Sequence, residues 1–148
     1  MKYLEKNYNR LQVNYCIGRL SLQSKGNAPT VEQKRWREEV RELGCIISDE
    51  QGGVEIHHVL GATAKYNKEE IGHEFILPLT GWYHRENPVL NVTNNKNLFE
   101  ANFGSQVSLF NRLLDLYEFH YERKPPLELS KINAIRELER NGRTMYKQ

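Results

Sequence analysis

The sequence predicts an α+β fold. Short β-like runs, at 54–59 and 75–77, lie mid-chain between turn-forming residues. Stretches of helical period flank them, each opened by a capping residue. The order is helix, two strands, helix and more helix. Segregation of the two kinds of element, instead of alternation, points to α+β.

Leu11, Val13, Tyr15 and Ile17 alternate with Gln12, Asn14, Cys16 and Gly18, a period of two that predicts an extended N-terminal arm. Gly26-Asn27-Ala28-Pro29 breaks it. Thr30 with Gln33 spells a capping box, and Trp36, Val40 and Leu43 share one face of the helix that follows. Gly44 ends that helix. Residues 45–47 and 54–59 read as strands joined through Asp49-Glu50-Gln51-Gly52-Gly53. Residues 61–72 read as a polar loop, and 75–77 as a third strand stopped by Pro78. A short helix runs from Gly81 to about Glu86, ahead of Pro88, and the Asn-rich 91–97 is a loop. Ser105 opens a helix that turns Leu109, Leu113, Leu116 and Tyr117 inward. Pro125-Pro126 interrupts the chain, and Ser130 caps a last amphipathic helix with Ile132, Ile135 and Leu138. The expected division is a basic arm over 1–29, a central domain over 30–124 and a helical tail over 125–148.

A chain of 148 residues is long enough for one domain with a real core. Its mean hydropathy of −0.73 predicts a thin core under much polar surface. No apolar run approaches about 18 residues, which excludes a membrane-spanning helix. Met1-Lys2-Tyr3-Leu4-Glu5-Lys6 has no apolar signal core, so the expected location is the cytoplasm. Two cysteines, Cys16 and Cys45, do not make a disulfide framework, in keeping with a reducing compartment. The net charge of +2 is unevenly spread. Residues 1–26 carry Lys2, Lys6, Arg10, Arg19 and Lys25 against Glu5 alone, a net +4, which leaves −2 for the rest. Tyr3, Tyr8 and Tyr15 interleave with those cations, a composition suited to phosphates and bases of a nucleic-acid strand. A solvated arm with its tyrosines packed on the body is the plainer alternative.

The chemistry concentrates in Glu55-Ile56-His57-His58 and in Thr80-Gly81-Trp82-Tyr83-His84-Arg85. Hydrolysing a phosphodiester needs an activated water, countercharge on the phosphate and help for the leaving oxygen. A neutral imidazole activates water at neutral pH, and imidazoles also bind transition ions. Consecutive histidines on a strand point to opposite sides, so His57 can face a metal while His58 faces the water. His84, on the next helix, can turn back to the same ion. Glu55 is placed to fix the tautomer of a ring. Arg85 is a candidate for a flanking phosphate, with a solvated helix position as the alternative. His73 either orients the loop, touches the scissile phosphate or is inert. His120, near the end of an apolar helix, reads as a surface or capping residue.

Cys45-Ile46-Ile47-Ser48 and Thr80-Gly81-Trp82-Tyr83 have the spacing of two zinc-knuckle halves. Three of the four ligand positions are Ser, Thr and Tyr, and tetrahedral structural zinc requires Cys or His. No structural zinc is expected. Packing of Trp82, Tyr83, Ile47 and Cys45 is expected to close that corner instead.

Leu43-Gly44-Cys45-Ile46-Ile47-Ser48, Glu55-Ile56-His57-His58-Val59-Leu60-Gly61, Gly72-His73, Leu77-Pro78-Leu79-Thr80-Gly81-Trp82-Tyr83-His84-Arg85 and Phe99-Glu100-Ala101-Asn102-Phe103-Gly104-Ser105-Gln106 together resemble the HNH (His-Me finger) endonucleases of phages. The chain is most similar to the recombination-enhancement, RecA-dependent nuclease family, over roughly 31–114. The resemblance implies a ββα-metal core with flanking helices and one divalent ion, Mg2+ or Zn2+. It also implies DNA as substrate, single-stranded or displaced and presented by the host recombinase filament in the bacterial cytoplasm. It makes His58 the general base, His57 and His84 the metal ligands, and Glu55 and His73 further site residues. The arm's Lys2, Lys6, Arg10, Arg19 and Lys25, with Arg85, would bind the DNA. The family tends to have Cys at the places of Ser48 and Thr80, His at that of Tyr83, and often His near that of Thr93. The last departure leaves an ion with fewer protein ligands and more water. Two other readings stay open: a recombination accessory protein that binds DNA without efficient cutting, and an interaction module whose histidines are core residues.

Overall fold

A computed structural model of the chain describes residues 28–140. The alternating residues of the arm and its cations Lys2, Lys6, Arg10, Arg19 and Lys25 lie outside the described residues. What is described is a mixture of helices and two small antiparallel sheets, an α+β architecture. Among the described residues, no helix is long and apolar enough to cross a membrane.

Helix α1, Val31–Leu43, begins at the capping box read in the sequence. The Gln33 amide donates to Thr30 Oγ1 at 3.1 Å, and the Thr30 amide donates to Gln33 Oε1 at 2.8 Å. Both bonds satisfy donors that the helix start would leave without partners. Trp36 and Val40 are buried, and Gly44 ends the helix at φ +90°, a conformation that favours glycine.

Strands β1, Val54–His58, and β4, Ile76–Thr80, pair antiparallel, with Val54 opposite Thr80 and His58 opposite Ile76. β4 is buried along its whole length. Pro78 does not stop it. The Pro78 carbonyl accepts from the Ile46 amide at 2.9 Å, on the side away from β1. A strand residue's N and O point the same way, so the missing N–H removes no ladder bond. Residues 45–47, expected as a strand, form a turn instead. The Asp49 amide donates to the Cys45 carbonyl and the Cys45 amide to Glu50, each at 2.9 Å, with Asp49 at φ +62°. Within this tight reversal Ile46 is the residue whose amide bonds β4.

The long connection from β1 to β4, expected as a loop, contains a hairpin of β2, Lys65–Tyr66, and β3, Glu69–Glu70. Asn67 and Lys68 at its tip both have positive φ. Two-residue hairpin turns need that geometry, and a lysine where glycine is usual hides it from composition. Gly72 is required by close approach: a Cβ there would stand 2.2 Å from the Ala62 carbonyl oxygen.

After β4 comes a π-helical turn, Trp82–Glu86, in which the Asn87 amide reaches back five residues to Trp82 O at 2.8 Å. The short helix expected here is present but wider than an α-helix. Helix α2, Lys96–Phe103, begins inside the stretch read as an Asn-rich loop. Helix α3, Gln106–Tyr121, is capped by Ser105 Oγ, which accepts from the Ser108 amide. Leu109, Leu113 and Tyr117 are buried, but Leu116 is 42% exposed. The buried stripe also takes in Gln106, Val107, Phe110 and Leu114, which moves its centre away from Leu116. Helix α4, Leu129–Arg140, starts one residue before Ser130, which is therefore inside the helix and not its cap. Its Ala134, Ile135 and Leu138 are buried.

The core is built where α1 and α3 meet β4. The Trp36 ring lies 5.3 Å from Tyr117 and 6.4 Å from Phe110, and Phe110 lies 5.3 Å from Phe75. The zinc-knuckle halves converge: burial raises the Cys45 thiol's pKa, and contacts from Ser48 and the Thr80 backbone outweigh this to lower it. Tyr83 packs edge-on to Phe103 at 5.5 Å. Trp82, expected in the same packing, is half exposed.

Phe110 is fully buried and Phe119, on the same helix, is 86% exposed. Phe110→Ala is expected to cost about 3–5 kcal/mol of unfolding free energy, and Phe119→Ala to stay within about 0.5 kcal/mol. Urea titration of the two variants measures the contrast.

Candidate functional site

Glu55 and His57 are two residues apart on β1 and therefore share a face. The π-helical turn folds back over that face. His84 Nδ1 bonds Glu55 Oε1 at 2.8 Å, and the His84 and His57 rings stand 5.1 Å apart, edge to face. Glu55 is an acceptor only, so His84 donates to it from Nδ1, and Nε2 is the ring nitrogen left for another partner. Arg85 grips the same carboxylate with two bonds, Nε to Oε1 at 3.2 Å and Nη2 to Oε2 at 2.7 Å. The guanidinium that the sequence offered to a flanking phosphate is thus engaged by Glu55.

His57 Nε2 meets Gln106 Oε1 at 2.9 Å. The Gln106 side-chain amide donates to Glu100 at 3.4 Å, which turns its oxygen toward the imidazole. His57 Nε2 is then the donor, and Nδ1 holds the lone pair. His58 points to the other side and lies 6.1 Å from His73, edge to face. His73 reaches that place because the long connection returns there, and α1 holds the return. The Trp36 indole donates to Glu74 O at 3.0 Å, and Gln33 donates to the buried Glu74 carboxylate at 2.7 Å.

His57, His58 and His84 line one cleft of about 450 Å³, with Ile56, Val59, Val92, Thr93, Lys96 and Gln106. His73 and Glu55 stand behind this lining. His120 is exposed at the end of α3, as its position suggested. Three polar lining residues carried no assigned role in the sequence. Gln106 had a signal, being a polar residue at the head of an apolar helical stripe. Lys96 had none, because its helix read as a loop. Thr93 hydrogen-bonds His84 O through both its hydroxyl, at 2.6 Å, and its amide, at 3.2 Å. A hydroxyl at this position straps the loop onto the π-helical turn.

Burial is the main cause that holds both strand histidines neutral. It lowers His57 to about 4, with help from the nearby His84, His58 and Lys96 and against the Gln106 bond. His58 is lowered by burial and then by His73, Arg37 and His84. Glu55 is held below the usual carboxylate range by its Arg85 and His84 bonds.

An imidazole ligates a metal through its unprotonated nitrogen, and His57 Nδ1 and His84 Nε2 are the nitrogens left for that, each ring having its other nitrogen fixed by a partner, as ligating histidines usually do. Two imidazoles bound to one ion at about 2.1 Å put their ring centres about 5 Å apart, close to the separation found here. Among the described residues, no three His, Cys, Asp or Glu side chains gather as a metal-binding group. An ion at this place would complete its shell with water.

No curated protein and no solved structure matches the chain. Residues 29–123, well over half of the sequence, match the family described as recombination enhancement, RecA-dependent nuclease. That stretch holds β1, β4, the π-helical turn and every residue of the cleft, and the chain belongs to the RecA-dependent nucleases of recombination enhancement.

Proposed function

We propose that this chain is a metal-dependent DNA endonuclease of the HNH type, acting in phage recombination on single-stranded or displaced DNA presented by the RecA filament. The observation that carries it is the pairing of the His57 and His84 rings at 5.1 Å in a cleft that His58 also lines. In this reading the β1–β4 pair and the turn after it form the ββα-metal core. His57 and His84 hold one divalent ion, Mg2+ or Zn2+. Bound there, it supplies positive charge to the phosphate and the leaving oxygen.

The chain's own residues do the rest. His58, kept neutral by burial, accepts a proton from water. The water oxygen bonds to phosphorus as the bond to the leaving sugar oxygen breaks. His73 sets the ring of His58 from its side. Glu55 holds the tautomer of His84, and Arg85 holds Glu55. The arm's Lys2, Lys6, Arg10, Arg19 and Lys25 supply further phosphate contacts.

His58→Ala is expected to lower the cleavage rate by about a hundredfold or more, the usual loss of a general base. Cleavage of single-stranded and plasmid DNA, with RecA and with Mg2+, Mn2+ or Zn2+ in turn, measures it. DNA bound but uncut by the wild type with every metal would instead support the accessory protein. Glu55→Gln replaces the carboxylate that fixes His84. It is expected to weaken Zn2+ or Mn2+ binding by about 10- to 100-fold in calorimetry.

The low pKa of His57 has a consequence for metal-free protein. The unfolded imidazole titrates near 6.5 and the folded one near 4. Between those values the unfolded chain binds the proton and the folded one does not, so stability falls as pH drops through this window. The loss is about 3 kcal/mol at most. Urea unfolding in EDTA at both ends of the window should show this extra loss in the wild type and not in His57→Gln.

A further inference from the structure

We propose that Lys96 is the side chain that holds the phosphate of the DNA strand in the cleft, a role that rests on the hydrolytic reading above. Among the described residues, the cleft lining contains three imidazoles, one amide, one hydroxyl, aliphatic groups and Lys96, and no carboxylate. Lys96 is thus the only one of these lining side chains with a formal charge when the imidazoles are neutral. Arg85, the cation that the sequence placed next to His84, is turned onto Glu55 with two bonds.

A phosphodiester entering this space carries one negative charge and must find a counter-charge there. Lys96 stands at the first position of α2, close enough to His57 to act on it electrostatically. Glu100, one helical turn on, draws on the same ammonium and also accepts from Gln106. Lys96 thus shares the cleft lining with the imidazoles and lies within the electrostatic reach of Glu100 on its own helix. Partial burial strengthens its attraction for an anion relative to a lysine in open water. The chemical class recognised is a phosphodiester oxygen, and the contact is independent of base identity.

The test uses the full chain and a fluorescein-labelled single-stranded DNA oligonucleotide. Affinity is measured in EDTA between about 50 and 200 mM salt. Lys96→Met is expected to bind about tenfold more weakly at the low-salt end, and to flatten the slope of log K against log salt by about 0.7, the share of one phosphate contact on a single strand. Lys96→Arg should recover most of both, and Lys96→Gln should behave like Lys96→Met, with far-UV circular dichroism checking the fold of each. Lys65→Met, on the β2–β3 hairpin, should change neither quantity. With metal added, kcat/KM of Lys96→Met should fall about tenfold or more.

An unchanged affinity and slope in folded Lys96→Met and Lys96→Gln would overturn the proposal and leave the nuclease reading intact. A wild type that binds the oligonucleotide but cuts it with no metal would overturn the nuclease reading, and the salt slope would still decide for or against Lys96. No binding of the oligonucleotide by the wild type would overturn both.

Discussion

The carboxylate of Glu55 is the contact on which the geometry of the site depends. It joins β1 to the π-helical turn by accepting from His84 Nδ1 and from two nitrogens of Arg85. Backbone pairing brings Val54 opposite Thr80, but pairing alone leaves the turn beyond Thr80 free to swing. Glu55 removes that freedom, and the His84 ring comes to rest over the strand face that carries His57. The bonds to two cationic or potentially cationic partners keep the carboxylate ionised, so it remains an acceptor over the working range of pH. Thr93 pins the same turn from the other side through His84 O.

Much of this was legible in the sequence because it depends on local rules. The capping box at Thr30, the cap at Ser105 and the run from Val54 to His58 each follow from a few adjacent residues. So does the alternation that separates His57 from His58. The misses have a common cause, which is partnering across distance. Pro78 reads as a strand end until Ile46 shows which way its backbone faces. Residues 45–47 have strand composition but no strand beside them. Lys96 reads as loop because three asparagines precede it within five residues, while the burial of Phe99 against the core is what makes α2 a helix. Arg85 reads as a phosphate contact or a solvated helix residue, and no sequence rule announces that Glu55, thirty residues earlier, will also face it.

The two strand histidines differ in their surroundings. Burial makes both reluctant to take a proton, yet their neighbours differ in kind. His57 is fixed by an amide oxygen, a partner that demands a donor and so leaves one defined lone pair. His58 faces another imidazole, His73, edge to face with the ring centres 6.1 Å apart. In the proposed mechanism that difference divides the labour. A ring whose tautomer is locked suits a fixed ligand, and a ring with a titratable neighbour suits a group that must gain and lose a proton within each cycle.

In the proposed mechanism the choice of ion follows from what surrounds the imidazoles. Two nitrogen ligands favour transition ions over magnesium when ligands alone decide. Among the described lining residues no carboxylate stands ready to displace water from an ion, and Thr93 Oγ1 and Gln106 Oε1 are each aimed at a protein partner, His84 O and His57. An ion held by His57 and His84 therefore keeps several waters, and a water-rich shell is what magnesium prefers. The site thus pulls in both directions, nitrogen ligands toward zinc and retained water toward magnesium. A phosphate oxygen that displaces one of those waters tips the balance, because hard cations gain most from an anionic oxygen. On this argument the occupied metal depends on whether DNA is already in the cleft, and selectivity belongs to the complex of protein and strand.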